Sequence, residues 1–336
     1  MKLTRHKLGR GFTYLDQDGE RLNRASSQGR EVLVWIDSLA IPPAWQGVRI
    51  DTDAATKIYA SGRDAGGKKQ YIYNPEWRAL RNQEKFERVL RFANQLSDMR
   101  SVTRKHLKSF FTNQEATRRA LTRDVVLSCM VRLIDSAYFR PGNSQYSADN
   151  DSYGITTLRS RHLSVDDNEL NFEYQGKSGV EQSKTVVDDR LARIVSELDD
   201  QPGYRIFKYF DGAEKRYVNS DDLNAYIREL MGEEFSAKDF RTWAATMITA
   251  AALAQSPSGG SEKDRRKIVI EALGVAAERL GNTPKICEEN YVDPRVIEAY
   301  MSGLTIADFN YTSDIPLDGD MSKDELATID LLESYS

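Results

Sequence analysis

The chain has 336 residues, a net charge of −4, 40% hydrophobic and 29% charged residues, the proportions of a globular protein long enough for two domains. No apolar run approaches the roughly 18 residues of a membrane span, and the basic N-terminus leads into no apolar segment, so neither a membrane helix nor a secretory signal is expected. Cys129 and Cys287 make no disulfide framework, and His6, His106 and His162 lie at no ligand spacing, which points to a reducing cytoplasm and away from a zinc site.

The charge is uneven. Residues 1–130 carry roughly ten excess positive charges and the remainder roughly fourteen excess negative ones. A basic front with an acidic end suits a nucleic-acid partner, and suits plain solvated charge about as well.

Residues 1 to about 80 read as strand and turn. The alternating run from Gly11 into Asp18-Gly19 is a hairpin signal. Val32-Leu-Val-Trp-Ile36 fits a strand or a short helix, ended by Ser38, Pro42 and Pro43. Two further alternating runs, near Val48 and Ile58, precede a turn at Asp64-Ala-Gly-Gly67. Lys69, Gln70, Tyr71, Ile72 and Tyr73 then form a strand, with Lys69, Tyr71 and Tyr73 on one face and Gln70 and Ile72 on the other. Cations beside aromatics and an amide can meet phosphates and base edges, although an ordinary edge strand looks the same.

Trp77, Leu80, Phe86, Leu90 and Phe92 recur at near-helical spacing, which predicts a helix over 77–99 and a domain joint at 75–100. Helices follow at 100–111 and 118–138. Phe139-Arg140-Pro-Gly-Asn143 breaks the last of these, and a polar stretch with Tyr146 and Tyr153 comes next. Residues 170–174 and 183–187 alternate as strands around Gly176-Lys177-Ser-Gly179, which places Lys177 at an exposed hairpin tip. Helices are expected at 188–198, at 220–231 with Ser220 as cap, after Ser236 to Ala254, and at 263–280. Thr283 and Pro284 read as N-cap and first residue of another helix, with Tyr291 two turns in. The acidic end is expected to be a short peripheral helix or a loose tail.

Together the segments Phe139-Arg140-Pro-Gly-Asn143, Tyr153-Gly-Ile-Thr-Thr-Leu158, Gly176-Lys177-Ser-Gly179, Lys238-Asp-Phe-Arg241-Thr-Trp243 and Leu280-Gly-Asn282-Thr-Pro284, with Tyr291 nine positions past Asn282, resemble the type IB DNA topoisomerases of the short poxvirus and bacterial kind. Gly9-Arg-Gly-Phe-Thr-Tyr14, Ile41-Pro-Pro-Ala-Trp45 and Lys69-Gln-Tyr-Ile-Tyr-Asn-Pro-Glu-Trp77 are similar to that family's small domain, so the resemblance covers about residues 5 to 300.

The resemblance implies an α+β fold: a small β-rich N-terminal domain (1–90) and a larger, mainly helical catalytic domain (91–310) with a small antiparallel sheet, of the tyrosine recombinase and topoisomerase IB kind. An acidic tail (311–336) would follow. It implies a monomer clamping double-stranded DNA, in the cytoplasm or on a bacterial nucleoid, that relaxes supercoils without ATP or an obligatory metal. Tyr291 would attack a phosphate to give a 3′-phosphotyrosyl link. Arg140 and Arg241 would grip the non-bridging oxygens, and Lys177 would protonate the leaving 5′-oxygen. Asn282 stands where many members carry His; an amide donates a hydrogen bond but exchanges no proton, so its role would be oxyanion stabilisation. Lys69, Gln70, Tyr71, Tyr73, Tyr146 and Lys238 match DNA-contacting positions. Two alternatives remain at this stage: a tyrosine recombinase, which shares the chemistry, and a non-catalytic DNA clamp.

Overall fold

The computed structural model describes residues 1–112, 117–144, 147, 151–212, 214–257, 259–309 and 321–335. The chain forms two compact units, 1–86 and 87–336.

Unit one is an antiparallel sheet with strands β1 (Lys2–Leu8), β2 (Gly11–Leu15), β3 (Gln46–Asp51), β4 (Ile58–Arg63) and β5 (Lys69–Tyr73), in the order β2-β1-β3-β4-β5. The hairpin turn lies at Gly9 and Arg10, earlier than the Asp18-Gly19 signal suggests. Asp18-Gly19 instead turns the chain back so that Leu15 pairs with Arg21. The Val32 run resolves as helix α1 (Ser27–Ser38), because Ser26 caps it by accepting from the Gly29 N–H at 3.0 Å. Helical spacing sends Ile36 into the core with Leu3, Tyr14, Val48, Ile50 and Ala60, and leaves Val34 in solvent. On β5, Lys69, Tyr71 and Tyr73 are exposed while Gln70 and Ile72 are half-buried, as alternation requires.

Helix α2 (Pro75–Asn94) carries the chain across the division at 86/87. In unit two follow α3 (Leu96–Thr112), α4 (Thr117–Ala120) and α5 (Arg123–Ala137). Helix α5 is apolar on nearly every face, with Val125 to Val131 all buried, and so lies in the core. The sheet β6 (Leu163–Asp166), β7 (Glu169–Gln175), β8 (Glu181–Val187) pairs consecutively and antiparallel. Its inner face carries Leu170, Phe172 and Tyr174 from β7, and Gln182, Lys184 and Val186 from β8. Helix α6 (Asp189–Asp200), the hairpin β9 (Lys208–Asp211) and β10 (Glu214–Tyr217), and helices α7 (Ser220–Met231), α8 (Ala237–Ala254), α9 (Glu262–Leu280), α10 (Pro284–Asn290), α11 (Pro294–Met301) and α12 (Lys323–Ser334) complete it. The β9–β10 hairpin was not foreseen. The cap of α7 is Asn219, not Ser220: the Asn219 carboxamide accepts from both the Asp221 and Asp222 N–H groups. Among the described residues no helix is long and apolar enough to cross a membrane.

The acidic C-terminal segment contains a docked element. Helix α12 buries Leu331 and Leu332, and its Glu325 lies 8% exposed against Arg100 of α3. Arg100 also pairs with Asp135 of α5 at 2.9 Å, so one guanidinium ties three helices. Burial pushes the Asp135 carboxyl up, but the charge and hydrogen bonds of Arg100 outweigh this and hold it below the ordinary carboxylate range. Its contribution to stability is therefore complete above about pH 4 and is lost as pH falls through the lower, folded-state pKa.

Replacing Arg100 by Met takes the closest cation from two buried carboxylates, leaving Asp135 only Arg132 at 3.5 Å. Urea unfolding at neutral pH is expected to show a loss of about 3–5 kcal/mol. The same variant should lose the acid-dependent part of the wild-type stability curve that Asp135 supplies. An unchanged unfolding midpoint would contradict the tie.

Candidate active site

The C-terminal end of α9 is where the site is assembled. An α-helix leaves its last carbonyls without helical partners and gathers partial negative charge there. Here three consecutive carbonyls each meet a cation. Lys184 Nζ donates to Arg279 O at 2.5 Å, Arg241 Nη2 to Leu280 O at 2.9 Å, and Arg140 Nη2 to Gly281 O at 3.2 Å. The helix stops at Gly281, which takes the left-handed conformation (φ 62°) that glycine adopts at low cost. The Asn282 N–H then returns to Ala277 O at 2.9 Å.

Arg140 is held from both ends. Helix α5 terminates at Tyr138 in the left-handed region (φ 60°), and Phe139 behind it is buried. The Ile155 N–H donates to Arg140 O and the Thr156 N–H to Pro141 O, both at 2.9 Å. This lays the Tyr153-Gly-Ile-Thr-Thr segment along the Arg-Pro-Gly turn. The backbones approach so closely that a Cβ on Gly154 would stand 2.6 Å from Arg140 O and 2.5 Å from Gly142 N. The two motif glycines thus have a steric reason. The Arg140 side chain, half-buried, also donates to Asn282 Oδ1 at 2.6 Å.

Arg241 sits in the second turn of α8, whose cap is Ser236 with Asp239 reaching back to it. It is 2% exposed, and its Nη1 donates to Tyr138 O at 2.5 Å. Burial, and then the charge of Arg140, push its pKa down to about 10, against the raising effect of Tyr291; it remains a cation at neutral pH. Its Cζ lies 5.4 Å from the centre of the Tyr291 ring. Two buried donors of the cluster, Arg241 Nε and Asn282 Nδ2, have no hydrogen-bond acceptor among the described residues, the amide having only the Cys287 thiol nearby. Buried donors of this kind are uncommon, and two of them in one cationic cluster suit an acceptor supplied from outside.

Tyr291 closes α10, whose cap is Thr283 with Pro284 in the first turn, as the sequence indicates. Its N–H donates to Cys287 O at 2.9 Å, and its carbonyl lies 3.3 Å from the Thr246 hydroxyl of α8, whose one proton goes to the nearer Thr242 O at 2.9 Å. The same Thr246 hydroxyl accepts from the Asp293 N–H at 3.1 Å. The tyrosine's segment is therefore tied to the helix that carries Arg241.

The structure thus brings together Arg140, Arg241, Asn282 and Tyr291. Lys177 stands apart: it is exposed on a single 3-10 turn, Lys177–Gly179, between β7 and β8, and no hydrogen bond or ion pair joins it to the other four. Lys238 is exposed in the first turn of α8. Lys69, Gln70, Tyr71 and Tyr73 lie on β5 in unit one, where Gln70 donates to Asp64 at 2.7 Å. There Tyr73 stacks on Trp77 with ring centres 5.3 Å apart, extending the aromatic row by a residue read in the sequence only as part of a helix and a motif. Tyr146 lies outside the described residues.

Two inward side chains of β8, Gln182 and Lys184, were also not singled out. Burial, then Arg241 and Arg140, push the Lys184 ammonium pKa down to about 8. The signal was a polar residue at each of two core-facing positions of an alternating strand.

Comparison with known proteins agrees with this geometry. A family model described as eukaryotic DNA topoisomerase I, catalytic core, matches residues 74–311. A second, described as bacterial DNA topoisomerase IB, N-terminal domain, matches residues 11–64. The chain belongs to the type IB DNA topoisomerases. It is similar to DNA topoisomerase 1B of Acanthamoeba polyphaga mimivirus, at 31% identity over 80% of this chain and 79% of the viral one. It is also similar to DNA topoisomerase I of Monkeypox virus and DNA topoisomerase 1B of Vaccinia virus (strain Copenhagen), each at 21% identity over 73% of both chains. Type IB topoisomerases are isomerases that relax supercoiled duplex DNA through a transient phosphotyrosyl link, without ATP. Because both halves of the chain match topoisomerase models, the recombinase and the inert clamp give way to this family.

Gly154→Ala tests the lock on Arg140. The added methyl is expected to lower stability by about 1–3 kcal/mol through overpacking, and to slow DNA cleavage about tenfold or more by shifting the Arg140 backbone. Thermal melts and single-turnover cleavage measure the two effects; wild-type cleavage in the variant would show that the lock does not set the arginine.

Proposed function

We propose that Tyr291 is the nucleophile of this topoisomerase, that Arg140, Arg241 and Asn282 hold the reacting phosphate, that Lys177 delivers the proton to the leaving group, and that the chain acts on duplex DNA as a monomer. The observation that carries this reading is the Tyr291 ring 5.4 Å from Arg241 Cζ, in a cluster with two buried donors lacking acceptors.

In the forward step the Tyr291 hydroxyl oxygen bonds to phosphorus and its proton passes to solvent. The bond from phosphorus to the 5′-oxygen breaks, and that oxygen takes a proton from Lys177. The reverse step restores the phosphodiester, so no external energy source is consumed. Between the two steps the freed strand rotates and supercoiling relaxes.

Charge explains the assignments. The phosphorane transition state concentrates negative charge on two non-bridging oxygens, and planar guanidinium forks suit them. Arg241 Nε and Asn282 Nδ2 are the donors left for that charge. Arg241 also faces the ring of the attacking tyrosine, so the cation that receives the phosphate lies beside the nucleophile. Arg140, bonded to Asn282 Oδ1, orients the amide so that its NH₂ faces away from the guanidinium. Proton transfer is assigned to Lys177, since an amide exchanges no proton, the guanidiniums are taken up with the phosphate, and Lys184 Nζ is held by Arg279 O. Exposure on a short turn leaves Lys177 able to approach the 5′-oxygen. Lys69, Gln70, Tyr71 and Tyr73 on β5, with Tyr146 and Lys238, would supply further DNA contacts, so binding weakens as salt rises.

Supercoiled plasmid should relax in EDTA without ATP, and a requirement for a divalent metal or for ATP would contradict the reading. Lys177→Ala should lose cleavage of ordinary DNA by about 10²–10⁴-fold, the usual worth of a general acid. It should regain cleavage when the leaving 5′-oxygen is replaced by sulfur, which departs without a proton. Lack of rescue would remove Lys177 from the role.

A further inference from the structure

No hydrogen bond or ion pair among the described residues ties Lys177 to the other four site residues, yet its turn is not held at random. The turn is closed by the Gly176 N–H donating to Val180 O at 2.8 Å and the Gly179 N–H to Gly176 O at 3.1 Å. Just beyond it, Gln182 points inward from β8 and is 6% exposed. Its side chain fills the space between two glycines that each adjoin a catalytic residue. A Cβ on Gly176, the neighbour of Lys177, would stand 2.8 Å from Gln182 Cγ. A Cβ on Gly281, the neighbour of Asn282, would stand 2.6 Å from Gln182 Nε2. Both distances are shorter than real Cβ contacts, so a side chain at either place would push the glutamine out of this position. The carboxamide is fixed in turn by donating to Glu181 O at 3.0 Å.

We propose that Gln182 is a positioning residue for proton delivery: wedged between Gly176 and Gly281, it sets the Lys177 turn against the Asn282 turn. Lys184, two residues further on the same face, anchors the strand by its bond to Arg279 O. The inner edge of β8 thereby docks on the one turn that also holds Arg140 and Arg241. Gln182 reaches no reacting atom in this scheme; it acts through Lys177. The proposal rests on Lys177 being the general acid.

That dependence supplies a readout that a merely structural role would not move. Single-turnover cleavage is measured on ordinary DNA and on DNA with a 5′-bridging sulfur, for wild type, Lys177→Ala, Gln182→Ala and Gln182→Asn, with thermal melts of each. Gln182→Ala is expected to cleave ordinary DNA about tenfold to a hundredfold more slowly, since small displacements of a catalytic group cost about that much. On the sulfur substrate it should match wild type within about twofold, because no proton is then needed. Gln182→Asn, one methylene shorter, withdraws the amide from Gly281 and should show the same selectivity to a smaller degree; it carries the test if the alanine variant does not fold. Equal losses on both substrates, or no loss on either, would overturn the proposal. If sulfur fails to rescue Lys177→Ala itself, the general-acid reading falls, and this proposal falls with it.

Discussion

The site depends on one helix end. The last turn of α9 offers its carbonyls to Lys184, Arg241 and Arg140 in succession, three cations that would otherwise repel one another in a partly dry place. The negative pole of the helix offsets that repulsion. The cost of burying the charges is still visible in Lys184 and Arg241, both pushed down in pKa by burial before any neighbour is considered. A polyanion brought to this cluster meets positive charge that is already oriented, so little reorganisation is needed when the transition state forms.

Gly281 is the hinge of that arrangement. Its left-handed backbone ends the helix, exposes the three carbonyls, and brings Asn282 to Arg140. From there Thr283 starts a new helix after one turn, and Tyr291 closes it beside Arg241. Asn282 and Tyr291 are nine positions apart because one cap, Thr283, and a 7-residue helix that Pro284 begins lie between them. The Thr246 hydroxyl accepts from the Asp293 N–H, two residues past Tyr291, which ties the tyrosine's segment to α8, the helix that carries Arg241.

Much of this was legible in the chain. Thr283-Pro284, the glycines at 142 and 154, the Ser236 cap and the alternating runs of β5, β7 and β8 each have a local cause that survives folding. What was not legible has tertiary causes. Val32 to Ile36 could be strand or helix until a sheet was present for Ile36 to face. Gln182 and Lys184 looked like ordinary polar strand residues, because their partners lie about 100 residues further along. The docking of α12 was hidden for a similar reason: Glu325 in an acidic run reads as solvated until Arg100, 225 positions earlier, is seen to face it. The Asn219 cap shows a smaller limit, since Asn and Ser stand side by side and both favour the position.

Covalent joining of Tyr291 to DNA is the proposed step on which every other role in the site depends. The direct measurement is to trap the enzyme on a nicked suicide duplex, digest the complex, and locate the modified peptide by mass spectrometry. The expected result is a single adduct, a phosphodiester on Tyr291 through the 3′-end of the DNA, absent when Tyr291 is replaced by Phe. An adduct on another residue, or an undiminished adduct in the Tyr291→Phe variant, would contradict that step.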